Sequence, residues 1–203
     1  MMKRFAANIP TPTLPLRTAT STEVSELVRR GKATIGLRYD RDRSNDLDYE
    51  LLVTERLQVV CAPDHPRAGG RVARLADLRG ERWIAFPEIP GRREISASHV
   101  FALFQTHGLG EVEWTPVDSL TAQKRLVEAG FGIALLSESN VAEERRSSAI
   151  LTIRVGYLSA SQDIVAVTRR DGFLSAASRR FLEVVRSNYG RAKSAKASRS
   201  VNR

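Results

Sequence analysis

Short apolar runs alternate along this chain with segments of helical periodicity, and this alternation constrains the fold more than any other feature. The clearest example begins at Ser119, where a helical segment has Leu126 and Val127 on its inner face. That segment ends at Gly130-Phe131-Gly132 and leads into the apolar run 133–136. A helix that ends at a glycine and returns to a buried strand is typical of α/β proteins. The sequence therefore predicts an α/β fold.

A second unit of this kind is predicted near the start of the chain. Residues 14–19 alternate as a strand does, and Thr20 and Glu23 have the spacing of a capping box at the start of a helix. The helix ends at Gly31 and the apolar run 33–37 follows as a strand. Strand, helix and strand in this order predict a βαβ unit with a parallel sheet.

The rest of the chain continues the alternation and suggests two lobes. Further strands are predicted at 51–53, 57–62, 83–87, 112–117 and 164–167, and further helices at 97–107 and 175–189. Turn-forming residues at 62–70 interrupt the pattern, and 203 residues suffice for one large domain or two small ones. We therefore expect the chain to cross between lobes near residue 62.

Composition and charge exclude several classes of protein. The single cysteine excludes a disulfide framework, and the longest apolar run is far too short for a membrane span. No signal peptide is recognised, so the expected compartment is the cytoplasm. The net charge is +9, but five cations and no acid lie in the last fourteen residues, a tail predicted to be disordered. A basic nucleic-acid-binding module that uses this tail remains an alternative.

Catalytic chemistry finds little support in the sequence. The histidines His65, His99 and His107 show no metal-binding spacing, and neither standard glycine-rich phosphate loop occurs. Cys61 lies in an apolar strand, which favours an inert core thiol over a nucleophile. We therefore expect no enzymatic activity, no cofactor and no metal ion.

Two hydroxyl-rich helix starts are the candidate binding elements. Thr20-Ser21-Thr22 and Asp118-Ser119-Leu120-Thr121 each follow a predicted strand, at the edge of a sheet where helix N-termini favour anions. For a single site, a role of the hydroxyl as a helix N-cap is favoured over ligand binding, and the two roles are compatible. A turn with Arg92 and Arg93, followed by Ser96 and Ser98, could clamp a carboxylate, although an exposed loop without a ligand explains it as well.

The order of these segments resembles one family, the effector-binding region of LysR-type bacterial transcriptional regulators. The resemblance covers residues 14–188 and is most specific at 126–136, where helix, Gly130-Phe131-Gly132 and strand follow one another. It also includes the strand that ends in His65-Pro66 and the segment Leu75-Ala76-Asp77-Leu78. Two residues depart from the family pattern: Ser137 stands where proline is usual, and Thr34 where aspartate is usual.

The resemblance implies two Rossmann-like lobes of the type II periplasmic-binding-protein kind, with an effector in the cleft between them. Lobe I would be 1–61 with 160–190 returning to it, lobe II 62–159, and the basic tail 191–203. Effector contacts of the family carry over to Ser21, Ser96, Ser119 and Leu120. A small, anionic effector is therefore expected, with Thr20 and Arg92 as further contacts.

The resemblance also implies what is absent. No segment matches the family's helix-turn-helix, and lobe I would lack its first strand and most of its first helix, which loosens its sheet. DNA is then a partner only if a helix-turn-helix is supplied. The expected function is effector sensing in a homodimer or tetramer, with no membrane partner. The alternative is a stand-alone solute-binding protein of a transporter, which shares the two-lobe plan.

Overall fold

The computed structural model describes residues 15–42, 44–87 and 95–200, apart from the side chains of 95–98 and 190–200. Its contacts divide the chain into two compact units. Unit 1 holds the residues up to Thr54 and those from Asp163 onward, and unit 2 holds Glu55–Gln162. The sequence instead places the division at 61/62 and 159/160. The boundaries differ because the chain crosses within continuous strands, which carry no turn signal.

Among the described residues, the sheet of unit 1 contains three strands. β1 spans Gly36–Tyr39, β2 spans Leu47–Cys61 and continues into unit 2, and β8 spans Ser161–Arg169. β8 lies between β1 and β2, and it pairs with β1 in antiparallel register, with Gly36 opposite Val167. The two predicted strands 51–53 and 57–62 are thus one long strand, β2, which passes through both units.

In the described part of unit 1, two helices cover this sheet, α1 at Ser21–Arg29 and α5 at Ala176–Ser200. Buried side chains form two clusters, one of Leu52, Val53, Ile164, Ala166, Leu182 and Val185 and one of Val28, Leu47 and Val167. Helix α1 approaches β1 so closely that a Cβ atom on Gly36 would lie 2.3 Å from Cγ1 of Val24. A side chain at position 36 would therefore displace the valine side chains packed against it.

The strand predicted at 14–19 is wrong for its described part. Residues 15–20 form no strand, and Leu16 is 69% exposed. Within the described ranges β1 pairs only with the antiparallel β8, so the predicted parallel βαβ unit does not form there. Alternation alone does not make a strand, because a strand needs a partner for its N–H and C=O groups, and Pro15 has no N–H to offer.

Helix α5 continues to Ser200, whereas the sequence predicts disorder over 191–203. The difference arises because the tail is rich in Ala, Lys and Arg, which have high helix propensity even where apolar periodicity stops. Residues 201–203 lie outside the described part. No helix in the described ranges combines the length and the apolar character that a membrane crossing requires.

Unit 2 has a mixed sheet in which parallel and antiparallel pairs meet. β6 (Ile133–Ser137), β4 (Trp83–Ala85) and β5 (Trp114–Pro116) follow β2 in the order β2-β6-β4-β5. β4 is parallel to both of its neighbours, while β2 is antiparallel to β6. On its other side β2 pairs with β7 (Leu151–Val155), which is parallel to β3 (Arg71–Val72).

The helices of unit 2 confirm the strongest sequence signal. They are α2 (Ile95–Thr106), α3 (Leu120–Glu128) and α4 (Ala142–Arg146), with 3-10 helices at Leu75–Leu78 and Glu138–Val141. Helix α3 ends before Gly130, which has a φ of +76° and turns the chain into β6. The predicted succession of helix, glycine and strand is thus present.

An aromatic group forms the centre of unit 2. The Phe104 ring lies 4.6 Å from that of Trp83 and 4.5 Å from that of Trp114, with T-shaped geometry in both pairs. Trp83 and Phe104 are fully buried, and the indole N–H of Trp83 donates to the Leu78 carbonyl at 3.2 Å. The ring contacts fix helix α2 on strands β4 and β5.

Candidate functional site

The start of α1 is a complete capping box, as its sequence spacing predicts. The Thr20 hydroxyl accepts the Glu23 N–H at 3.3 Å, and the Glu23 carboxylate accepts the Thr20 N–H at 3.0 Å. Thr20 is exposed, whereas Ser21 is buried. The Ser21 hydroxyl accepts the N–H of Tyr39 at 3.3 Å, so it also ties the start of α1 to the end of β1.

A buried polar group lies below this turn, and sequence reasoning missed it. We call it the Arg38 cluster; its members are Ser25, Arg38, Asp42 and Tyr49. The Arg38 side chain has no exposed surface, and its Nη1 donates to the Ser25 hydroxyl and to the Asp42 carboxylate, the latter at 2.7 Å. Within the described residues its Nη2 is buried without a hydrogen-bond partner.

Asp42 is the acceptor at the centre of the Arg38 cluster. It accepts the hydroxyls of Ser25 at 2.9 Å and Tyr49 at 2.6 Å. Burial opposes its ionisation, but hydrogen bonds from Tyr49 and Ser25 and the charge of Arg38 outweigh this effect and lower the pKa of Asp42. Burial and the neighbouring carboxylate raise the pKa of Tyr49. The cluster therefore holds helix α1 on β1 with an ionised carboxylate.

The start of α3 differs from that of α1 in exposure. Ser119 is the N-cap, and its hydroxyl accepts the Ala122 N–H at 3.4 Å. Ser119 is exposed and Leu120 is half-buried. The buried Gln123 side chain donates to the Val117 carbonyl at 2.8 Å and so fixes the turn between β5 and α3. The hydroxyl of Ser119 therefore stands at the surface of unit 2, at the N-terminus of a helix.

Further hydroxyls and a carboxylate lie at the same edge of the unit 2 sheet. β4, β5 and β6 are parallel, so the turn after β5 and the last residue of β6, Ser137, mark their carboxyl ends. The Ser137 hydroxyl is buried and has no hydrogen-bond partner among the described residues. Next to it, Ser139 donates to the buried Glu55 carboxylate at 2.5 Å. Ligands of α/β proteins bind at this edge.

The predicted carboxylate clamp falls outside what the structure describes. Arg92 and Arg93 lie in the undescribed stretch 88–94, and Ser96 and Ser98 belong to the first turn of α2 without described side chains. Their role in effector binding stays a prediction. Within the described residues, no group of three or more His, Cys, Asp or Glu side chains is arranged to hold a metal ion.

The chemistry of Cys61 supports a core thiol. Cys61 is fully buried in β2, and burial raises its pKa to about 11. At a pH of about 8 only about 0.1% of such a thiol is the nucleophilic thiolate. We expect iodoacetamide to leave the native chain unlabelled and to alkylate Cys61 after unfolding in urea, as mass spectrometry would show. Rapid labelling of the native chain would contradict the buried position.

A family model and several relatives identify the family of this chain. The model of the LysR substrate binding domain matches residues 1–190. The transcriptional regulator CysL of Bacillus subtilis is 31% identical over 117 residues, which are 58% of this chain and 38% of that protein. CatR of Pseudomonas putida, also a transcriptional regulator, is 28% identical over 174 residues, 85% of this chain and 57% of that protein.

A third relative is named as a transport protein rather than as a transcriptional regulator. The phosphonates import ATP-binding protein PhnC of Anaeromyxobacter dehalogenans is 29% identical over 191 residues, 92% of this chain and 37% of that protein. The present sequence contains no Walker-type phosphate loop. The chain spans between 37% and 57% of the length of these three relatives.

Solved structures show the same fold. The regulatory domain of Synechocystis CcmR, in complex with 2-PG, has a TM-score of 0.79 at 18% identity and covers 93% of this chain and 88% of its own. The effector-binding domain of QuiR, in complex with shikimate, has a TM-score of 0.71 at 16% identity, with 85% and 79% coverage. The match of the family model over residues 1–190 shows that the chain belongs to the LysR substrate binding domain family.

Proposed function

We propose that this chain is the effector-sensing domain of a LysR-type bacterial transcriptional regulator, which binds a small organic anion without transforming it. The observation that carries the proposal is the family match over residues 1–190. Domains of the same fold bind shikimate, a carboxylate, in QuiR and 2-PG in CcmR. A sensor needs differential affinity for its ligand between two states rather than a catalytic group.

The helix starts support an anionic effector. Ser119 is exposed at the N-terminus of α3, where unpaired N–H groups and the positive end of the helix dipole favour negative charge. Leu120 offers an apolar contact beside it. At the start of α1, Thr20 is exposed. The Ser21 hydroxyl contacts the effector while it also accepts the N–H of Tyr39. Arg92 and Ser96 complete the proposed set.

The remaining parts of the proposal concern the whole regulator. The chain acts in the cytoplasm as a homodimer or tetramer and reaches DNA through a helix-turn-helix joined to it. The alternative is a solute-binding protein of a transporter. A fusion of this chain to the helix-turn-helix of a family member distinguishes the sensor from the solute-binding protein. Only a sensor changes transcription from the matching operator when its ligand is added.

The roles of Ser119 as a helix N-cap and as an effector contact can be separated by substitution. A screen of small carboxylates for thermal stabilisation first identifies a ligand. Ser119→Ala is expected to weaken its binding by about 1 kcal/mol, because one hydroxyl contact is lost. Ser119→Asp is equally good as an N-cap but repels an anion, so it is expected to keep the unfolding temperature and to weaken binding further.

Calorimetry of the purified chain measures both quantities. The matched control is Ser161→Ala, which removes an exposed hydroxyl at the start of β8 and should leave affinity unchanged. Unchanged anion affinity in Ser119→Asp would show that Ser119 is only a cap. Chemical turnover of the bound carboxylate would refute the sensor function.

A further inference from the structure

A cleft lies at the edge of unit 2 opposite the start of α3. Its volume is about 390 Å³, and its lining contains His65, Arg79, Gly80, Glu81, Arg82, Glu113, Gly130, Phe131 and Gly132. Arg82, Glu113 and Gly132 directly precede β4, β5 and β6, so this amino-end cleft lies at the amino ends of the parallel strands. Ser119 follows the carboxyl end of β5. The cleft is therefore separate from the proposed effector contacts of unit 2.

Unpaired charges of both signs line the amino-end cleft. Arg82 and Glu113 are neighbours on adjacent strands, because Trp83 is paired with Trp114 in the next register position. Within the described ranges, neither of these two side chains has an ion-pair partner. Both are exposed. One cation and one anion are thus available side by side at the mouth of the cleft.

The other charged residues of the lining are already engaged. Glu81 contacts Nε2 of His65 at 3.2 Å and Nε of Arg67 at 3.5 Å. Nε of Arg79 donates to the Ala76 carbonyl at 3.2 Å, which leaves its terminal nitrogens without a described acceptor. The cleft therefore offers Arg82 and the terminal nitrogens of Arg79 to an anion and Glu113 to a cation, while Glu81 is already paired.

The cleft also has an apolar wall and a tightly packed floor. The Phe131 side chain is 56% exposed and presents its ring to the cleft. A Cβ atom on Gly132 would lie 2.5 Å from the Arg82 carbonyl oxygen, so the two backbones touch there. This carbonyl accepts the Ile133 N–H at 2.8 Å. The backbone below the charged side chains is therefore fixed by β-sheet pairing.

We propose that the amino-end cleft binds a small zwitterion with an apolar substituent, of the α-amino acid class. Arg82 and Arg79 bind its carboxylate, Glu113 binds its ammonium group, and the substituent lies on Phe131. A simple anion would lie beside the Glu113 carboxylate, and a simple cation would lie beside the Arg82 guanidinium group. Only a ligand with both charges pairs with both Arg82 and Glu113, and the volume lies in the range of about 300–1,000 Å³ of ligand pockets.

Three related probes test the requirement for both charges. L-phenylalanine carries both, 3-phenylpropanoate only the carboxylate and 2-phenylethylamine only the ammonium group. Isothermal titration calorimetry of the full chain is expected to show binding of L-phenylalanine and at least about tenfold weaker binding of each analogue, because each has lost one charge-assisted contact. Equal binding of the three probes, or no binding of L-phenylalanine at about 10 mM, would overturn the proposal.

Two substitutions assign the charges to residues. Arg82→Gln should weaken L-phenylalanine binding about tenfold and leave the binding of 2-phenylethylamine unaffected. Glu113→Gln should also weaken L-phenylalanine binding about tenfold, but leave the binding of 3-phenylpropanoate unaffected. Arg125→Gln, at a 68% exposed side chain on α3, is the control that should change nothing. If Arg82→Gln and Glu113→Gln bind L-phenylalanine as the unsubstituted chain does, the proposal is wrong. The result is independent of Ser119 and of any regulatory effector.

Discussion

Replacing Phe104 with alanine is expected to lower the free energy of unfolding of unit 2 by about 3–5 kcal/mol. The Phe104 ring is fully buried and contacts both tryptophan rings edge-on, at 4.6 Å and 4.5 Å between centroids. Its removal therefore leaves a cavity and ends two aromatic contacts. Trp83 and Trp114 are the only tryptophans of the sequence, so their fluorescence during urea unfolding reports on unit 2.

Phe101→Ala is the matched control for this prediction. Phe101 lies on the same helix, is half-buried, and its ring is 6.3 Å from that of Trp114 in a tilted arrangement. We expect its loss to cost less than half as much, because the exposed part of the ring contributes no burial. Equal effects of the two substitutions would contradict the packing described for unit 2.

Arg38→Met is expected to lower the stability of unit 1 by about 3 kcal/mol. This value is at the lower end of the free-energy cost of breaking a buried ion pair, because the Asp42 side chain is 24% exposed. Among the described residues, the substitution leaves an ionised carboxylate with the hydroxyls of Ser25 and Tyr49 and the Ser44 backbone N–H as its donors. Adding Asp42→Asn to Arg38→Met should restore part of the loss, because it removes the unpaired charge.

Hydrogen exchange of the α1 and β1 amides measures this effect, because unit 1 contains no tryptophan. The control is Arg186→Met, which breaks the exposed pair with Glu50, 2.6 Å long, and should cost less than about 1 kcal/mol. If Arg38→Met lowers protection no more than Arg186→Met does, the Arg38 cluster does not hold α1 on β1.

Elements with a complete local signal were predictable from the sequence. The capping box at Thr20 and Glu23 and the passage from α3 through Gly130 into β6 need only residues that are close along the chain. The 14–19 segment has a strand pattern but no strand, because pairing depends on partners that a local pattern does not include. β3 has two residues and α4 five, too few to show a period.

The candidate sites also differ in how far apart their residues lie along the sequence. Ser119 was predictable as a cap, because an N-cap interacts with residues three positions ahead. The Arg38 cluster joins α1 to the loop after β1, and Ser25 and Asp42 are 17 residues apart. The amino-end cleft joins three strand starts that lie up to 50 residues apart along the chain. Such groups form only when the sheet is assembled, so sequence spacing does not show them.

Chemical-shift mapping by NMR tests the central claim most directly. A stabilising carboxylate from the screen is titrated into the isotopically labelled chain. If the chain is an effector sensor of the proposed kind, the amide signals of 20–23 and 119–122 shift together and saturate at one ligand concentration. Saturable binding that leaves both helix starts unshifted would contradict the account.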